Sequence, residues 1–297
     1  MTIIVHLKGG LGNQLFQYAT AKALARHHNA SLILDDSWYH STPKDLTPRH
    51  LLLSSLKIPE ESCTYRKFLP KNSLLQKLAL FFPRPKELIL HNNDPFFFDD
   101  SLFDRALSPN KNYFLIGYWQ SFKYFERIRT ELQKILKPRS QISQHYSLYL
   151  KEIQNATSVM IHIRRGDYVT LKSANTLNGV LDLDYYLKSM KKILEWQPKA
   201  HFFVFSDDIE WAMKNLPKEY CLTFIHNEPH HDSVINELFL MTQCKHHIIA
   251  NSSLSWWGAW LSDADKGQKV ISPNRWINKA EINLSNLLPQ SWLKIAP

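Results

Sequence analysis

The sequence predicts an α/β protein of two doubly wound domains, each with a parallel sheet covered by helices. First, the chain opens with an apolar strand, a glycine turn, a helical repeat and a second strand at residues 32–34. Second, short apolar strands alternate with helical repeats again between residues 159 and 272. Third, several strands of this second half end in polar turns, which would meet at one edge of the sheet. A chain of 297 residues is long enough for two such domains.

The first strand, residues 2–7, leads into a turn with glycines at positions 9, 10 and 12. A helical repeat follows, with Asn13 as its predicted N-cap. Glycines let a ligand or a facing domain approach the backbone closely, which makes Gly10 and Gly12 candidate binding positions. The amide groups of Asn13 and Gln14 would point into the same gap.

The same turn also suggests a dinucleotide-binding fingerprint, because Asp35 ends the second strand about 20 residues later. That fingerprint requires a third small residue where the helix meets the strand, and Leu15 stands there instead. Binding of NAD is therefore the weaker of the two interpretations of this turn.

The region from 37 to 110 is rich in proline and lacks clear periodicity, which predicts irregular structure or variable loops that face a substrate. Its basic and apolar segment 71–86 is either a short helix packed on the domain or a contact for an anionic membrane surface. A strand at 112–117 and a helix at 121–136 follow, and Pro138 ends the helix.

A polar stretch separates the two α/β patterns, which predicts domains at residues 1–150 and 151–297. Early in the second domain, a buried strand at 159–161 ends in a polar turn that carries two adjacent arginines, Arg164 and Arg165. A guanidinium group is always charged, and its planar fork matches the oxygens of a phosphate. We interpret the arginines as a diphosphate clamp, with a surface ion pair at the strand end as the alternative.

Other candidate residues accompany these arginines or follow strands that would share the same edge. Asp167 is close enough in sequence to orient one of the arginines. Ser252 and Ser253 open a tryptophan-rich helix, where hydroxyls, backbone N–H groups and the helix dipole suit a phosphate. Simple N-capping by these serines is the alternative interpretation. The remaining candidates at these strand ends are His162, Asp207, Asp208 and Asn251.

The sequence offers little for a metal site. The two D-x-D triplets, at 182–184 and 263–265, lie where a helix cap and a loop are expected, so we interpret both as structural. His226 and His230 have H-x-x-x-H spacing, but Pro229 between them prevents the helix that would bring them together. The arginines are the cations left to stabilise a departing diphosphate, and we expect no metal or other cofactor.

Composition narrows the class of partner and the compartment. The net charge of +9 favours anionic partners, although nucleic acid ranks last because the chain has no block of like charges typical of a nucleic-acid tail. No apolar run approaches the roughly 18 to 20 residues that span a bilayer, and the first residues do not resemble a signal peptide. With three scattered cysteines, these features predict a cytoplasmic protein.

Four segments carry a resemblance to a known family: GGLGNQLFQYA at 9–19, HIRRGDYV at 162–169, FSDD at 205–208 and HHIIANSSLSWWGAWL at 246–261. In this order and spacing they resemble the α-1,2-fucosyltransferases of glycosyltransferase family 11. Leu254 stands where a phenylalanine is the more usual residue. The segments lie in both halves of the chain, so the resemblance covers both predicted domains.

The resemblance implies a GT-B-like fold of two facing Rossmann-type domains with a cleft between them, the first on the acceptor side and the second binding GDP-fucose. It implies an inverting galactoside α-1,2-fucosyltransferase, which moves L-fucose from GDP-β-L-fucose to the 2-hydroxyl of a terminal galactose without a metal. A bacterial-type enzyme of this family would act in O-antigen biosynthesis. It would work in the cytoplasm, with peripheral contact to the inner membrane as an open alternative.

The resemblance also implies roles for single residues. Arg164 would hold the β-phosphate with support from Arg165, and Asn13 would face the reacting centre. His162 and Glu237 match positions that contact the nucleotide. The donor-binding set as a whole is Gly10, Gly12, Gln14, His162, Asp207, Asp208, Glu237, Asn251, Ser252 and Ser253.

The sequence leaves open which group accepts the proton of the acceptor hydroxyl. Asp167 is the candidate base, although two neighbouring arginines should favour its charged form and make it a weak one. Two alternative functions also stay open: a GDP-sugar transferase of other linkage or donor specificity, and a non-enzymatic glycan- or polyanion-binding module. The second predicts salt-sensitive binding to polyanions without release of GDP.

Overall fold

The chain divides into two units in its three-dimensional structure, for which we use a computed structural model. The structure describes residues 1–40, 49–64, 87–166, 179–230, 232–262, 267–278 and 282–297. The units are Met1–Leu136 and Lys137–Pro297. The division precedes the predicted boundary at residue 150, because the helix Gln144–Asn155 packs on elements of the second unit. Three sequence predictions fall outside the described residues and stay predictions: segment 71–86, Asp167 and the triplet 263–265.

The first unit is built on a parallel sheet. Its described strands are β1 (Thr2–His6), β2 (Ser31–Asp35), β3 (Ser62–Cys63), β4 (Glu87–His91) and β5 (Asn112–Ile116), in the spatial order β3-β2-β1-β5-β4. Helix α1 (Leu11–His27) connects β1 to β2, which confirms the predicted opening βαβ unit. Ile3, Ile4 and Val5 are fully buried, as expected for the central strand of a parallel sheet.

Three local predictions for this unit differ from the structure. Gly10 is the N-cap of α1 and Asn13 lies within its first turn, because the Gly10 carbonyl accepts hydrogen bonds from the N–H groups of Asn13 and Gln14. The predicted helix at 121–136 is α-helical only in α2 (Arg129–Ile135), which two short 3-10 turns precede. Strand β4 lies in the proline-rich region, for which the sequence predicted irregular structure.

The second unit is built on a parallel sheet of its own. Its described strands are β6 (Thr157–Ile163), β7 (Ala200–Ser206), β8 (Leu222–Phe224), β9 (His246–Ile248), β10 (Val270–Pro273) and β11 (Leu293–Ile295), in the spatial order β11-β10-β9-β6-β7-β8. Its described helices are α3 (Gln144–Asn155), α4 (Leu183–Trp196), α5 (Ile209–Asn215), α6 (Ser233–Gln243) and α7 (Ser253–Trp260). None of the helices in the described parts of the chain is long and apolar enough to cross a membrane.

Strand β6 lies at the centre of the second sheet, between β7 and β9. Its apolar residues Val159, Ile161 and Ile163 are fully buried and pack with Phe202 and Val204 of β7. A strand buried on both faces has a nearly continuous apolar sequence, which is why the sequence predicts it. Because β6, β7 and β9 run parallel and adjacent, the residues that follow them meet at one edge of the sheet.

Candidate functional site

Two arginines after β6 and two aspartates after β7 form paired charges at the carboxyl edge of the second sheet. The guanidinium Nη1 of Arg164 lies 2.9 Å from Oδ2 of Asp207. The Oδ1 atom of Asp207 accepts a hydrogen bond of 2.8 Å from the backbone N–H of Arg165. The side chains of Arg164 and Asp207 are 22% and 25% exposed, so a ligand can reach the pair. Asp207 thus fixes both the Arg164 side chain and the backbone beside it.

Arg165 is held differently from Arg164. Its Nε lies 3.3 Å from Oδ2 of Asp208, and its guanidinium carbon lies 4.1 Å from the centre of the Trp211 ring. Asp208 is itself fixed, because its carboxylate accepts a hydrogen bond from the N–H of Trp211 at the start of α5. The sequence did not single out Trp211, whose ring contributes a cation–π contact. Arg165 is therefore anchored against its own unit, which suits a supporting role.

His162 lies inside strand β6 rather than in the polar turn that the sequence predicted for it. It is 2% exposed, and burial lowers the pKa of His162 to about 4. The charge of Asp207 raises this pKa and that of Arg164 lowers it, so the ring lies close to the ion pair. Within the described residues, Nδ1 of His162 has no hydrogen-bond partner. A neutral imidazole with a buried, unpartnered nitrogen is suited to a ligand group.

Glu237 is a buried carboxyl group in α6 that interacts electrostatically with Arg164 and Asp207. It is 7% exposed, and burial raises the pKa of Glu237 to about 7. A hydrogen bond from Asn227 and the charge of Arg164 lower this pKa, whereas the charge of Asp207 raises it. Sequence reasoning missed Asn227, which follows β8 in an exposed segment with no motif of its own. The structure therefore brings Arg164, Asp207, His162 and Glu237 together.

The turn after β9 has two parts with different contacts. The amide Nδ2 of Asn251 donates hydrogen bonds of 3.2 Å to the carbonyls of Gly179 and Trp276, so this side chain ties three segments together. Ser252 is the N-cap of α7, but its side chain makes no capping hydrogen bond. Ser253, the first residue of α7, is half-buried. The start of α7 therefore keeps a hydroxyl and the positive end of a helix dipole for a ligand.

The glycine turn of the first unit differs from its prediction. Gln14 is fully buried, and its Nε2 donates hydrogen bonds of 3.1 Å to the carbonyl of Gly9 and of 2.8 Å to that of His50. Its Oε1 accepts a hydrogen bond of 3.0 Å from the N–H of Leu52. The prediction that this amide points toward a ligand is wrong, because Gln14 joins the turn to residues 50–52. Gly10 and Gly12 stay at the start of α1, where Gly10 is half-buried.

Asn13 lies beside the glycines at the start of α1, although it does not cap the helix. Its Oδ1 accepts a hydrogen bond of 2.8 Å from Nε2 of Gln120, in the turn after β5. Gln120 lies between the predicted strand at 112–117 and the predicted helix at 121–136, and sequence reasoning assigned it no role. Its position in the sequence could have marked Gln120 as a candidate site residue, because polar residues directly after a parallel strand lie at the ligand-binding edge of a sheet.

Asp182 and Asp184 of the first D-x-D triplet make structural contacts. Asp182 is the N-cap of α4, and its side chain accepts a hydrogen bond of 2.9 Å from the N–H of Tyr185. Asp184 pairs with Lys188 on the exposed surface of the same helix. No group of three or more metal-ligating side chains is found among the residues that the structure describes. The first D-x-D triplet is therefore a helix cap, as the sequence predicted.

Residues 92–296 match the model of glycosyl transferase family 11. Two similar proteins come from Escherichia coli. The O-antigen biosynthesis glycosyltransferase WbnK is 34% identical over 97% of this chain and 99% of its own length. An alpha-1,2-colitosyltransferase is 32% identical over 99% of this chain and 98% of its own length. The galactoside 2-alpha-L-fucosyltransferase Sec1 of Mus musculus is 25% identical, and the match covers 88% of this chain and 64% of that protein.

Solved structures with low sequence identity share the fold. The NodZ alpha-1,6-fucosyltransferase soaked with GDP-fucose gives a TM-score of 0.55 at 14% identity, over 92% of this chain and 94% of that one. A mutant of Arabidopsis thaliana FUT1 in complex with GDP gives 0.51 at 13% identity, over 92% and 70%. The predicted GT-B-like class, with two parallel-sheet α/β domains, is confirmed. From the family match and the E. coli relatives, this chain belongs to glycosyl transferase family 11.

Proposed function

We propose that the protein is a metal-independent, inverting galactoside α-1,2-fucosyltransferase, which moves L-fucose from GDP-β-L-fucose to the 2-hydroxyl of a terminal galactose in an O-antigen precursor. Membership of family 11 supports glycosyl transfer. Relatives named as an O-antigen glycosyltransferase and as a galactoside 2-alpha-L-fucosyltransferase support the glycan acceptor and the linkage. The observation that carries the proposal is the Arg164–Asp207 pair, partly exposed at strand ends where α/β folds bind ligands.

The second unit supplies groups that suit a GDP-linked sugar. Arg164 stabilises the β-phosphate as negative charge develops on the departing GDP. The start of α7 at Ser252 offers backbone N–H groups to the same diphosphate. Glu237 contacts the guanine base, because a carboxylate accepts hydrogen bonds from both the ring N–H and the amino group of guanine. His162, buried close to the same ion pair, offers its unpartnered Nδ1 to the nucleotide.

The reaction forms one bond and breaks one. The 2-oxygen of the acceptor attacks C1 of fucose, the bond from C1 to the β-phosphate oxygen breaks, and its electron pair leaves with GDP. Configuration at C1 inverts, and the hydroxyl proton passes to a base. Asp167 is the candidate base from the sequence and lies outside the described residues.

A second donor is favoured by one specific finding. A relative 32% identical over nearly the whole chain is an alpha-1,2-colitosyltransferase. Colitose differs from L-fucose only by the absence of the 3-hydroxyl. The same arginines could therefore bind the diphosphate of either GDP-linked sugar. Discrimination would depend on whether a buried polar group of the protein requires that hydroxyl as a hydrogen-bond partner.

The test is release of GDP from GDP-fucose and from GDP-colitose, each with a β-galactoside such as lactose, with and without EDTA. We expect acceptor-dependent release from GDP-fucose that survives EDTA and yields an α-1,2 fucoside. Faster turnover of GDP-colitose would show that colitose, and not L-fucose, is the sugar transferred. Loss of activity with EDTA and recovery with a divalent ion would contradict the metal-free mechanism. Release with a product of another linkage would contradict the specificity.

Gly166→Ala is expected to lower the rate of transfer about 10- to 100-fold with little loss of stability. A Cβ atom on Gly166 would lie 2.6 Å from Oδ2 of Asp207, the atom that pairs with Arg164, so this contact must be disturbed. The free energy of unfolding should change by less than about 1 kcal/mol, because the pair is partly exposed. Steady-state kinetics and thermal unfolding measure the two effects, and Asp207→Asn should reproduce the kinetic one. Wild-type kinetics for both variants would show that this pair is irrelevant to transfer.

We also propose that the enzyme acts in the cytoplasm. All three cysteines of the chain are described, and none forms a disulfide, which suits a reducing compartment. Fractionation of the producing cells tests this location, with recovery in the membrane fraction released by high salt indicating peripheral attachment.

A further inference from the structure

The turn after β5, residues 117–120, has an unusual backbone. Gly117 has a φ of +138°, and a Cβ atom there would lie 2.7 Å from the backbone carbonyl oxygen of Asn92. Trp119 has a φ of +54°, in the left-handed region that large side chains rarely adopt. It is 2% exposed, so its packing holds it there. Strained backbone persists only where the surroundings enforce it, and it often marks functional positions.

This turn fixes the position of the Gln120 side-chain amide. The backbone N–H of Gln120 donates a hydrogen bond of 2.8 Å to the carbonyl of Pro95, which fixes the residue. Its side-chain Nε2 then donates a hydrogen bond of 2.8 Å to Oδ1 of Asn13. Because Gln120 is only 9% exposed, its amide has little freedom to turn elsewhere. The strained turn thus delivers a hydrogen-bond donor to the first turn of α1.

The contact determines which end of the Asn13 amide faces outward. With Oδ1 used by Gln120, the remaining polar atom is the donor Nδ2. That atom lies over the glycine turn, since a Cβ atom on Gly9 would be 3.0 Å from it. Gly9 has a φ of +82°, so the turn keeps this position clear of a side chain. A donor is presented where a ligand can approach the backbone.

The neighbouring groups also favour a ligand rich in oxygen. The ammonium of Lys8 lies 4.5 Å from the centre of the Tyr118 ring, and no carboxylate of the described residues pairs with it. The backbone of Lys8 is fixed by Gln17, whose amide bonds both its N–H and its carbonyl, at 2.9 Å and 3.2 Å. The ammonium of Lys8 therefore adds a positive charge to the donor Nδ2 of Asn13 beside the glycine turn.

We propose that Gln120 is a positioning residue, which holds the Asn13 amide so that Nδ2 donates a hydrogen bond to an oxygen of a bound substrate. This inference rests on the proposed function and adds a residue that acts through Asn13 rather than on the substrate. The substitution Gln120→Glu tests it, because a carboxylate only accepts hydrogen bonds. The Asn13 amide would have to turn its Nδ2 toward Glu and present its oxygen to the ligand.

The experiment is a double-mutant cycle on kcat and on the dissociation constant of GDP-fucose, with Asn13→Ala, Gln120→Glu and the double variant. We expect Gln120→Glu to lower kcat by about 100-fold. The double variant should be no slower than Asn13→Ala, because Gln120 acts only through Asn13. The proposal would be overturned if the double variant lost kcat by the product of the two single losses. A kcat for Gln120→Glu within about threefold of wild type would also overturn it. Gln141→Glu, at an exposed position, is the matched control.

Two further measurements distinguish failure of the positioning role from misfolding and from failure of the proposed function. Methionine has a shape similar to glutamine but makes no hydrogen bond, so in Gln120→Met the Asn13 amide can adopt either orientation. This variant should therefore lose less activity than Gln120→Glu at equal thermal stability. A wild-type protein that binds GDP-fucose without turning it over would contradict the proposed function alone. In that case the double-mutant cycle on the dissociation constant of GDP-fucose tests the positioning role. Additive effects of Asn13→Ala and Gln120→Glu on the binding free energy would overturn it. Absence of GDP-fucose binding by the wild type would overturn both.

Discussion

Arg164→Ala is expected to reduce the rate of fucosyl transfer by about 10³- to 10⁵-fold, the range found when an arginine that stabilises a departing phosphate is lost. A guanidinium gives two N–H groups to a phosphate in a fixed geometry and never loses its charge. The fold should survive, because the Arg164 side chain is partly exposed and its partner Asp207 lies 2.9 Å away at the surface. Such a pair contributes only about 0 to 1 kcal/mol to stability.

The measurement is kcat/KM for GDP-fucose by GDP release, together with thermal unfolding. Arg164→Lys keeps the charge but loses the planar fork, so it should recover only part of the rate. Arg127→Ala, at an exposed position of the first unit, is the matched control and should leave the rate unchanged. If Arg164→Ala unfolds normally and turns over within about tenfold of wild type, Arg164 is not the phosphate clamp.

The position of Arg164 could be predicted because a central parallel strand has a distinctive sequence. Residues 157–163 form a run that is almost continuously buried, and charged residues follow at once. Strands β7 and β9 have the same pattern, and parallel strands of one sheet end at the same edge. The meeting of Arg164 with Asp207 follows from that arrangement. Which arginine pairs with which aspartate depends on side-chain packing, including the Trp211 ring, and has no sequence signal.

Other features could not be predicted because they depend on contacts between distant segments. Helix α3 buries only Tyr146 and Ile153, so its apolar repeat is too weak to distinguish it from a polar linker. Gln14 lies beside the glycines, yet its amide bonds to residues 36 and 38 positions later, His50 and Leu52. Glu237 interrupts an otherwise apolar helix face, and only the structure shows that the interruption lies near Arg164.

Glu237→Gln is expected to remove a pH dependence of stability. Burial raises the pKa of Glu237 from its ordinary value of 4.5 to about 7. Between these values the folded protein holds a proton that the unfolded chain has released, so the free energy of unfolding falls as pH rises through this window. The shift corresponds to roughly 3 kcal/mol in total. Buried histidines such as His162 change stability with the opposite sign in part of this window, and they do so equally in both proteins. The difference in the free energy of unfolding between wild type and Glu237→Gln, measured by urea unfolding from about pH 5 to pH 8, should therefore fall as pH rises.

Binding of GDP-fucose should change with pH in the opposite direction. Guanine donates hydrogen bonds from its ring nitrogen and its amino group, and in the proposed site the carboxylate form of Glu237 would accept both. The affinity of the wild type should therefore rise up to about pH 7.5 and then level off. Glutamine has one acceptor oxygen and an amino group that opposes the amino group of guanine. The variant should bind about 10- to 100-fold more weakly, without that rise.

Calorimetry counts the proton directly. At about pH 6 the carboxyl group of Glu237 is mostly protonated, so binding of GDP-fucose to the wild type should release close to one proton, measured in two buffers of different ionisation enthalpy. Glu237→Gln should release none, whereas Glu210→Gln, exposed at the start of α5, should behave as the wild type. Proton release that persists in Glu237→Gln would mean that another group titrates on binding. Guanine would then be recognised elsewhere, and the buried carboxyl group would serve only the fold.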